Sequence, residues 1–337
     1  MGAQDRAQPL AATNGPAQSA TASAKTGDPD PTTPGAATYE SGAPNPTPAA
    51  AATVETSSHD PSTAHLHAAP LAKGLKLLQT SIEGPLESAI VAEAGSEIGP
   101  ALTQVVTRTL VWWVRVPDDL LRGDRLSVLY EVRPDQEPLV HAVRFESGKT
   151  GRTHKAFLFK PASETYPRFY EPDGRELELR LADAPLDDYE QVTSRLRDGR
   201  HHQGVDFKCP EGTPVKATFD GVITRRNWNV RGNGNSIELR DAKRQRYALY
   251  LHLSEIADFV RPGVRIHKGQ VLGRTGNTGH SFAPHLHYQL MGGHQKALDP
   301  FLATRTVRRH VPDEERARFE AEVRKLDALL EPPIAGN

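Results

Sequence analysis

Three short histidine-containing segments in the second half of the chain have residue types that could hold a metal ion. These segments are HQGVD at 202–206, YLHL at 250–253 and PHLHY at 284–288. Successive residues of a strand alternate between its two faces, so His285 and His287 are expected on one side of a strand. By the same rule, His202 and Asp206 share a face if their segment is extended. These side chains could therefore converge on one ion.

Two imidazoles and one carboxylate form a donor set that is typical of catalytic zinc, which takes three protein ligands and leaves a position for water. Histidines beyond that set could then serve the reaction. A neutral imidazole can take a proton from the attacking water, and an imidazolium can stabilise an oxyanion. Taken singly, each segment is more often a surface pair or a half-buried packing histidine. Their occurrence together, in glycine-rich β sequence, favours a hydrolytic metal site.

The bulk composition excludes several other classes of site. Lys plus Arg (41) nearly balance Asp plus Glu (42), so no overall field favours nucleic acid. The single cysteine, Cys209, allows neither an intramolecular disulfide nor a site built from several thiolates, and a packing role is expected for it. No apolar run reaches the length of about 18 residues that a transmembrane helix needs. The polar start of the chain, at 1–18, carries no recognisable export signal.

The elements that must position these residues follow from the change in sequence character along the chain. Residues 1–70 are rich in Ala, Pro, Thr and Ser and predict a disordered tail that contains His65 and His67. Residues 71–186 predict a small α+β accessory domain, with one or two helices over 71–110 and strands near 110–116, 126–132 and 139–146. A turn is expected at 170–174, where Pro172 presets one turn angle and Gly174 supplies positive φ.

Residues 187–303 predict a compact antiparallel β domain, because short apolar runs are separated by Gly, Pro and Asn. Its strands are expected at 213–218, 221–225, 235–239, 247–252, 271–274 and 285–290. Residues 304–337 predict a C-terminal helix and tail, whose apolar stripe consists of Phe319, Val323, Leu326 and Leu330. That stripe is expected to pack on its own chain rather than on a partner. The fold class is therefore mainly β.

The region around the three segments resembles peptidase family M23, of the lysostaphin and LytM type. The resemblance covers about a hundred residues and is highly specific. The matching motifs are HQGVDF at 202–207, PEGTPV at 210–215, ATFDG at 217–221, YLHL at 250–253, VRPG at 260–263, KGQVLG at 268–273, GNTG at 276–279 and PHLHY at 284–288.

This resemblance implies a compact antiparallel β fold with a narrow groove over the metal. It implies that His202, Asp206 and His287 bind one zinc ion per chain. It also implies that His252 and His285 act on the water and on the tetrahedral intermediate. Five other histidines in the second half of the chain have no place in the pattern and are expected at the surface, with His280 nearest the groove; they are His201, His267, His280, His294 and His310.

A shorter and looser resemblance links the preceding region to cell-envelope members that cut peptidoglycan cross-links. It rests on LLRGDRLSVLY at 120–130, KAF at 155–157 and FYEPDG at 169–174. It implies peptidoglycan stem peptides as substrate and action in the cell envelope or outside the cell. The charge balance, and not the resemblance, argues against a nucleic-acid partner. An envelope protein could bind through 71–186 or the C-terminal helix. An inhibitory role for 71–186 and simple structural support remain equal alternatives.

Other classes of function share part of this pattern. A catalytically inactive relative that activates a cell-wall amidase would lack one or more site residues, and this chain lacks none. A phosphoryl-carrier module is disfavoured, because Asp206 would repel an incoming phosphate. A zinc endopeptidase that acts on proteins shares every site residue and stays open.

Overall fold

The computed structural model describes residues 74–196, 198, 202–293 and 296–331. Within them, the strands pair antiparallel, and the mainly β fold class is confirmed. The predictions for residues 1–70, including His65 and His67, lie outside the described residues. No helix in the described part of the chain combines the length and apolar character needed to cross a membrane.

The first sheet has five described strands in the order β1-β2-β3-β4-β5. Helices α1 and α2 cover one of its faces, where Ile90, Leu102 and Val106 pack against Val128 and Phe145. The elements are β1 (Leu75–Ile82), α1 (Leu86–Ala94), α2 (Gly99–Leu110), β2 (Asp124–Glu131), β3 (Leu139–Ser147), β4 (Arg152–Phe159) and β5 (Arg168–Tyr170).

Two parts of the 71–116 prediction are wrong. Residues 75–82 form strand β1 rather than a helix, and each of them pairs with β2. Leu78 faces α1 and α2, whereas Leu77 faces the opposite side. A strand that is covered on both faces loses the polar–apolar alternation that would identify it. Residues 111–116 form turns after α2 instead of a strand.

The predicted C-terminal helix is present as α5 (Arg316–Leu330). It covers the second face of the first sheet, where Leu326 and Leu330 pack against Leu129 and Phe157. Lys155 of β4 donates to Asp327 of the helix at 2.6 Å. The apolar stripe of the helix is therefore in contact with its own chain.

The second sheet has ten described strands, with the central order β13-β10-β11-β12-β15-β8-β7. Six of these ten strands were predicted from the sequence, and their ends lie within four residues of the expected ones. The elements are β7 (Gln191–Ser194), β8 (Val205–Lys208), β9 (Pro214–Lys216), β10 (Gly221–Arg226), α3 (Val230–Asn233), β11 (Asn235–Asp241), β12 (Arg246–Ile256), β13 (Arg265–Ile266), β14 (Val271–Thr275), β15 (His285–Met291), β16 (Ala297–Leu298) and α4 (Pro300–Ala303).

A small two-stranded sheet joins the segments that flank the ten-stranded one. It pairs β6 (Arg180–Leu181) with β17 (Thr306–Val307). The proposed boundary between residues 186 and 187 falls in the connection from β6 to β7, and the division into separate domains stays a prediction.

Candidate metal centre

Two adjacent strands of the second sheet hold the carboxylate and one imidazole side by side. Asp206 of β8 is in direct register with His287 of β15. Side chains directly opposite each other on antiparallel strands are neighbours on the same face. His287 Nδ1 consequently lies 2.9 Å from Asp206 Oδ1.

The third donor reaches this point from the segment that precedes β8. His202 lies outside the strand, and its Nε2 is 3.2 Å from Asp206 Oδ1 and 3.1 Å from His287 Nδ1. One donor atom from each of the three residues lies within 4.8 Å of the others. Two imidazole nitrogens and one carboxylate oxygen are ordinary zinc donors, and a tetrahedral site with bonds of about 2.0–2.1 Å has donors about 3.3 Å apart. The three residues present therefore fit a zinc ion.

A glycine makes this approach possible. A Cβ atom on Gly204 would lie 2.7 Å from His287 Nε2 and 2.7 Å from the Tyr288 carbonyl oxygen. No side chain fits there unless the backbone of β15 moves. Glycine between His202 and Asp206 thus lets the 202–204 segment pass directly over β15.

His285 lies on the same face of β15 as His287, as the strand alternation predicts. Its Nε2 is 3.9 Å from Asp206 Oδ1. Its Nδ1 donates to the Ala283 carbonyl at 2.8 Å. His285 therefore adjoins the three donors without replacing one of them.

His252 reaches the same face through an irregularity in β12. Tyr250 of β12 pairs with Tyr288 of β15 in the core, so a regular strand would also direct residue 252 into the core. His252 instead has φ 63°, in the left-handed region. Its ring lies 4.8 Å from that of His285 and 6.0 Å from that of His287. The positive φ reverses the alternation and brings the imidazole to the face that holds His285 and His287.

Backbone carbonyls determine which ring nitrogen of three histidines carries the proton. A carbonyl can only accept, so a nitrogen beside it must donate. His252 Nδ1 donates to the Thr278 carbonyl at 2.9 Å. His285 Nδ1 donates to the Ala283 carbonyl in the same way. His202 Nδ1 donates to the Arg195 carbonyl at 3.1 Å. In the neutral form, each ring keeps a lone pair on Nε2.

Burial and the close approach of these groups shift their protonation equilibria. Burial opposes the charge of Asp206, but hydrogen bonds from His202 and His287 outweigh this and hold the pKa of the carboxyl well below its usual range. Burial opposes the charge of His202 too, yet its hydrogen bond to Asp206 raises the pKa of the imidazole. Burial, together with the neighbouring His285 and His287, lowers the pKa of His252 to about 4.

None of the other candidates that the structure describes belongs to the group of three donors. Cys209 is buried in the core, where its thiol donates to the Phe207 carbonyl. His267, His280 and His310 are exposed, whereas His201 and His294 lie outside the described residues. The sequence prediction missed Ser194 and Arg195, which surround His202 Nδ1. The spacing of the motifs holds no signal for these two residues.

Residues 200–300 match the family described as Peptidase family M23. This match includes the three donors, which are His202, Asp206 and His287. It also includes the two adjoining histidines, His252 and His285. Residues 200–300 belong to peptidase family M23.

The M23 domain and the region before it resemble several characterised proteins. The chain is 31% identical over 225 residues to the peptidoglycan DD-endopeptidase ShyA of Vibrio cholerae, covering 63% of this chain and 50% of ShyA. It is 44% identical over 93 residues to the glycyl-glycine endopeptidase ALE-1 of Staphylococcus capitis, covering 28% of this chain and 25% of ALE-1. The chain thus spans about half the length of ShyA and about a quarter of the length of ALE-1.

Among solved structures, the M23 domain resembles the catalytic domain of lysostaphin from Staphylococcus simulans. The sequence identity is 35%, the match covers 37% of this chain and 90% of the lysostaphin domain, and the TM-score is 0.29.

Proposed function

We propose that this protein is a zinc-dependent endopeptidase that hydrolyses peptide cross-links of bacterial peptidoglycan. In this proposal His202, Asp206 and His287 bind one zinc ion, and His252 and His285 act on the reacting groups. The observation that carries it is the convergence of three donor atoms within 4.8 Å, with two further imidazoles on the same face.

A zinc ion in such a site acidifies the attacking water and polarises the scissile carbonyl. The role of the chain itself is to hold the proton-transfer groups in place. With Nδ1 bound to Thr278 O, His252 has Nε2 available to accept a proton. His285, bound in the same way to Ala283 O, can donate a hydrogen bond to the developing oxyanion once it is protonated.

The relatives support a wall substrate, and the extent of each match supports one kind of bond. The match to ShyA runs over 225 residues, more than the M23 domain contains, whereas the match to ALE-1 covers 93. The region before residue 200 is therefore shared with the DD-endopeptidase. We propose D-amino-acid-containing stem cross-links as the substrate in preference to glycine bridges, and the cell envelope as the place of action.

Purified sacculi provide the test. The protein is incubated with sacculi of a diaminopimelate-type wall, with zinc, with a chelator, and with zinc restored after chelation. We expect loss of cross-linked muropeptide dimers and release of uncrosslinked monomers, identified by mass, in the zinc samples alone. His267→Ala serves as a control, because its side chain is 88% exposed and lies apart from the donors.

Other results would point to the alternative functions. If dimers persist under every zinc condition while a separate wall amidase becomes more active on addition of the protein, the protein is a non-catalytic activator. If dimers persist but an unfolded protein is cut in a zinc-dependent way, the substrate is a protein.

A further inference from the structure

Arg195 connects three elements at the end of strand β7. Its guanidinium donates through Nη1 to the Val111 carbonyl at 2.8 Å and through Nη2 to Asp299 Oδ2 at 3.1 Å. Val111 caps the C-terminus of α2, and Asp299 caps the N-terminus of α4. The last carbonyls of a helix lack partners within it, so an arginine there satisfies an otherwise unpaired acceptor.

Two aromatic rings enclose the same guanidinium. It lies 4.7 Å from the centre of the Trp112 ring and 5.4 Å from that of Phe301. The two rings meet edge to face at 5.2 Å. Arginine stacks on aromatic faces while its planar fork forms two hydrogen bonds, a combination that lysine cannot reproduce. The side chain is therefore held on several sides.

The end of β7 that Arg195 fixes is the part of the chain that faces His202. The Ser194 hydroxyl lies 2.7 Å from His202 Nδ1 and donates its own proton to Asp198 at 2.6 Å. Ser194 Oγ therefore accepts from His202 Nδ1, as the Arg195 carbonyl does at 3.1 Å. Both acceptors keep the proton on Nδ1 and leave Nε2 free for a metal ion.

We propose that Arg195 is a positioning residue for the metal site, and that through it the helix α2 side of the accessory region supports zinc binding. The guanidinium anchors β7 to α2 and α4, and this holds Ser194 Oγ and the Arg195 carbonyl against His202 Nδ1. Hydrogen bonds to the outer nitrogen of a histidine ligand fix its tautomer and ring orientation, and their loss typically weakens metal binding by about 10–100-fold. The inference rests on the proposed role of His202 as a ligand.

A second contact runs from α2 to the strand that holds Asp206. Glu137 accepts from Arg108 of α2 at 2.6 Å and from Lys208 of β8 at 3.2 Å. Lys208 follows Asp206 by two residues. Helix α2 is thus joined to the end of β7, which faces His202, and to β8, which holds Asp206.

The test is zinc affinity of the full chain, measured by competition with a chromophoric chelator. Arg195→Met keeps the apolar stem and removes the fork, and we expect zinc to bind about 10–100-fold more weakly. Arg246→Met is the matched control, since Arg246 is 18% exposed against 20% for Arg195, pairs with a buried carboxylate, Asp241, and lies over the Phe219 ring. We expect the control to lose a similar amount of thermal stability and to keep its zinc affinity. Arg195→Lys replaces Arg195→Met if that variant does not fold.

A second measurement separates positioning from general stability. In zinc-loaded protein, the Nδ1 proton of His202 should exchange slowly with water in the wild type and faster in Arg195→Met, because Ser194 Oγ and the Arg195 carbonyl are no longer held against it. Equal zinc affinity for Arg195→Met and Arg246→Met, with unchanged exchange of this proton, would overturn the inference. His202→Ala separates the two proposals, because wild-type zinc binding by that variant would refute the ligand set itself.

Discussion

The orientation of the imidazoles is controlled by groups outside the three candidate donors. Thr278 O, Ala283 O and Arg195 O each accept from Nδ1 of one histidine, so the choice of reactive nitrogen is made by the backbone. His287 differs, because its Nδ1 faces Asp206 and its Nε2 lies 3.4 Å from Gln289 Oε1. Substitutions of metal donors and of proton-transfer groups should therefore have separable effects.

His285→Ala should abolish most hydrolysis while leaving zinc bound. A positioned acid or base typically contributes about 10²–10⁴-fold to rate, so we expect kcat/KM on cross-linked muropeptides to fall by that amount. Metal content of the purified variant should stay at one zinc per chain. His267→Ala should match the wild type in both measurements. Unchanged turnover in His285→Ala would remove this residue from the mechanism.

Gly204→Ala should weaken metal binding without touching a donor atom. The added Cβ would lie 2.7 Å from both His287 Nε2 and the Tyr288 carbonyl, so β15 must shift. We expect at least about a tenfold loss of zinc affinity, by analogy with other changes that disturb ligand orientation. Gly84→Ala is the control, because an added Cβ there meets no atom within 4 Å. Equal affinities would show that the site tolerates this displacement.

The residues of the site differ in how far their sequence context could reveal them. Strand alternation alone places His285 and His287 on one face. It fails for His252, since a regular strand would direct that side chain into the core and the reversal depends on a positive φ. Arg195 and Trp112 are 83 residues apart and meet only in the folded chain. No local sequence pattern predicts that contact.

At the scale of elements, α5 should contribute strongly to stability. Leu326 is 3% exposed and packs on the first sheet. Leu326→Ala should lower the free energy of unfolding by about 2–5 kcal/mol, the usual range for buried leucine. Urea denaturation measures the change. Leu302→Ala, at a leucine that is 83% exposed, should have little effect, and an equally small effect of Leu326→Ala would mean that the helix is held loosely.

Six of the ten described strands of the second sheet were predicted from the sequence, whereas β7, β8, β13, β16 and the first-sheet strand β1 were not. Apolar and polar residues alternate in β11, as in Ile237, Glu238 and Leu239, and Gly, Pro and Asn separate the strands of this sheet, so the expected positions of β10, β11 and β15 agree with the structure. β1 lies between α1 and α5 layers, and its leucines face both. The sequence of β1 therefore has no polar face that would distinguish it from an apolar helix.

At the scale of the whole molecule, a buried carboxyl predicts how stability changes with pH. Burial raises the pKa of Glu178 to about 7, with Glu176 acting in the same direction and Arg180 and Arg168 opposing it. Because the folded state holds this proton more tightly than the unfolded one, its stabilising effect is complete below about pH 4.5 and is lost as the pH rises through about 7.

The measurement is the free energy of unfolding of metal-free protein at pH 5 and at pH 8. We expect the stabilising effect of Glu178, measured as the difference between the wild type and Glu178→Gln, to be larger at pH 5 than at pH 8 by up to about 3 kcal/mol. The same difference measured for Glu314→Gln, at an exposed glutamate, should not change with pH. A Glu178→Gln difference that is equal at the two pH values would assign the pH dependence to other groups.

The arrangement of the sheets could not be obtained from the sequence. Strand β17 pairs with β6 across more than a hundred residues, and α5 returns to the first sheet from the far end of the chain. Such pairings depend on surfaces that exist only once both partners have formed. The motifs predicted the M23 domain, whereas the contacts from α2 to β7 and β8 came from the structure alone.

The left-handed residue in β12 also bears on attempts to transplant this chemistry. An idealised antiparallel scaffold with the same five side chains at the same strand positions would turn the imidazole of residue 252 into its core. A designer must therefore copy a backbone irregularity together with Thr278, whose carbonyl receives the histidine. A functional transplant therefore needs the backbone conformation at His252 and the Thr278 carbonyl in addition to the reactive side chains.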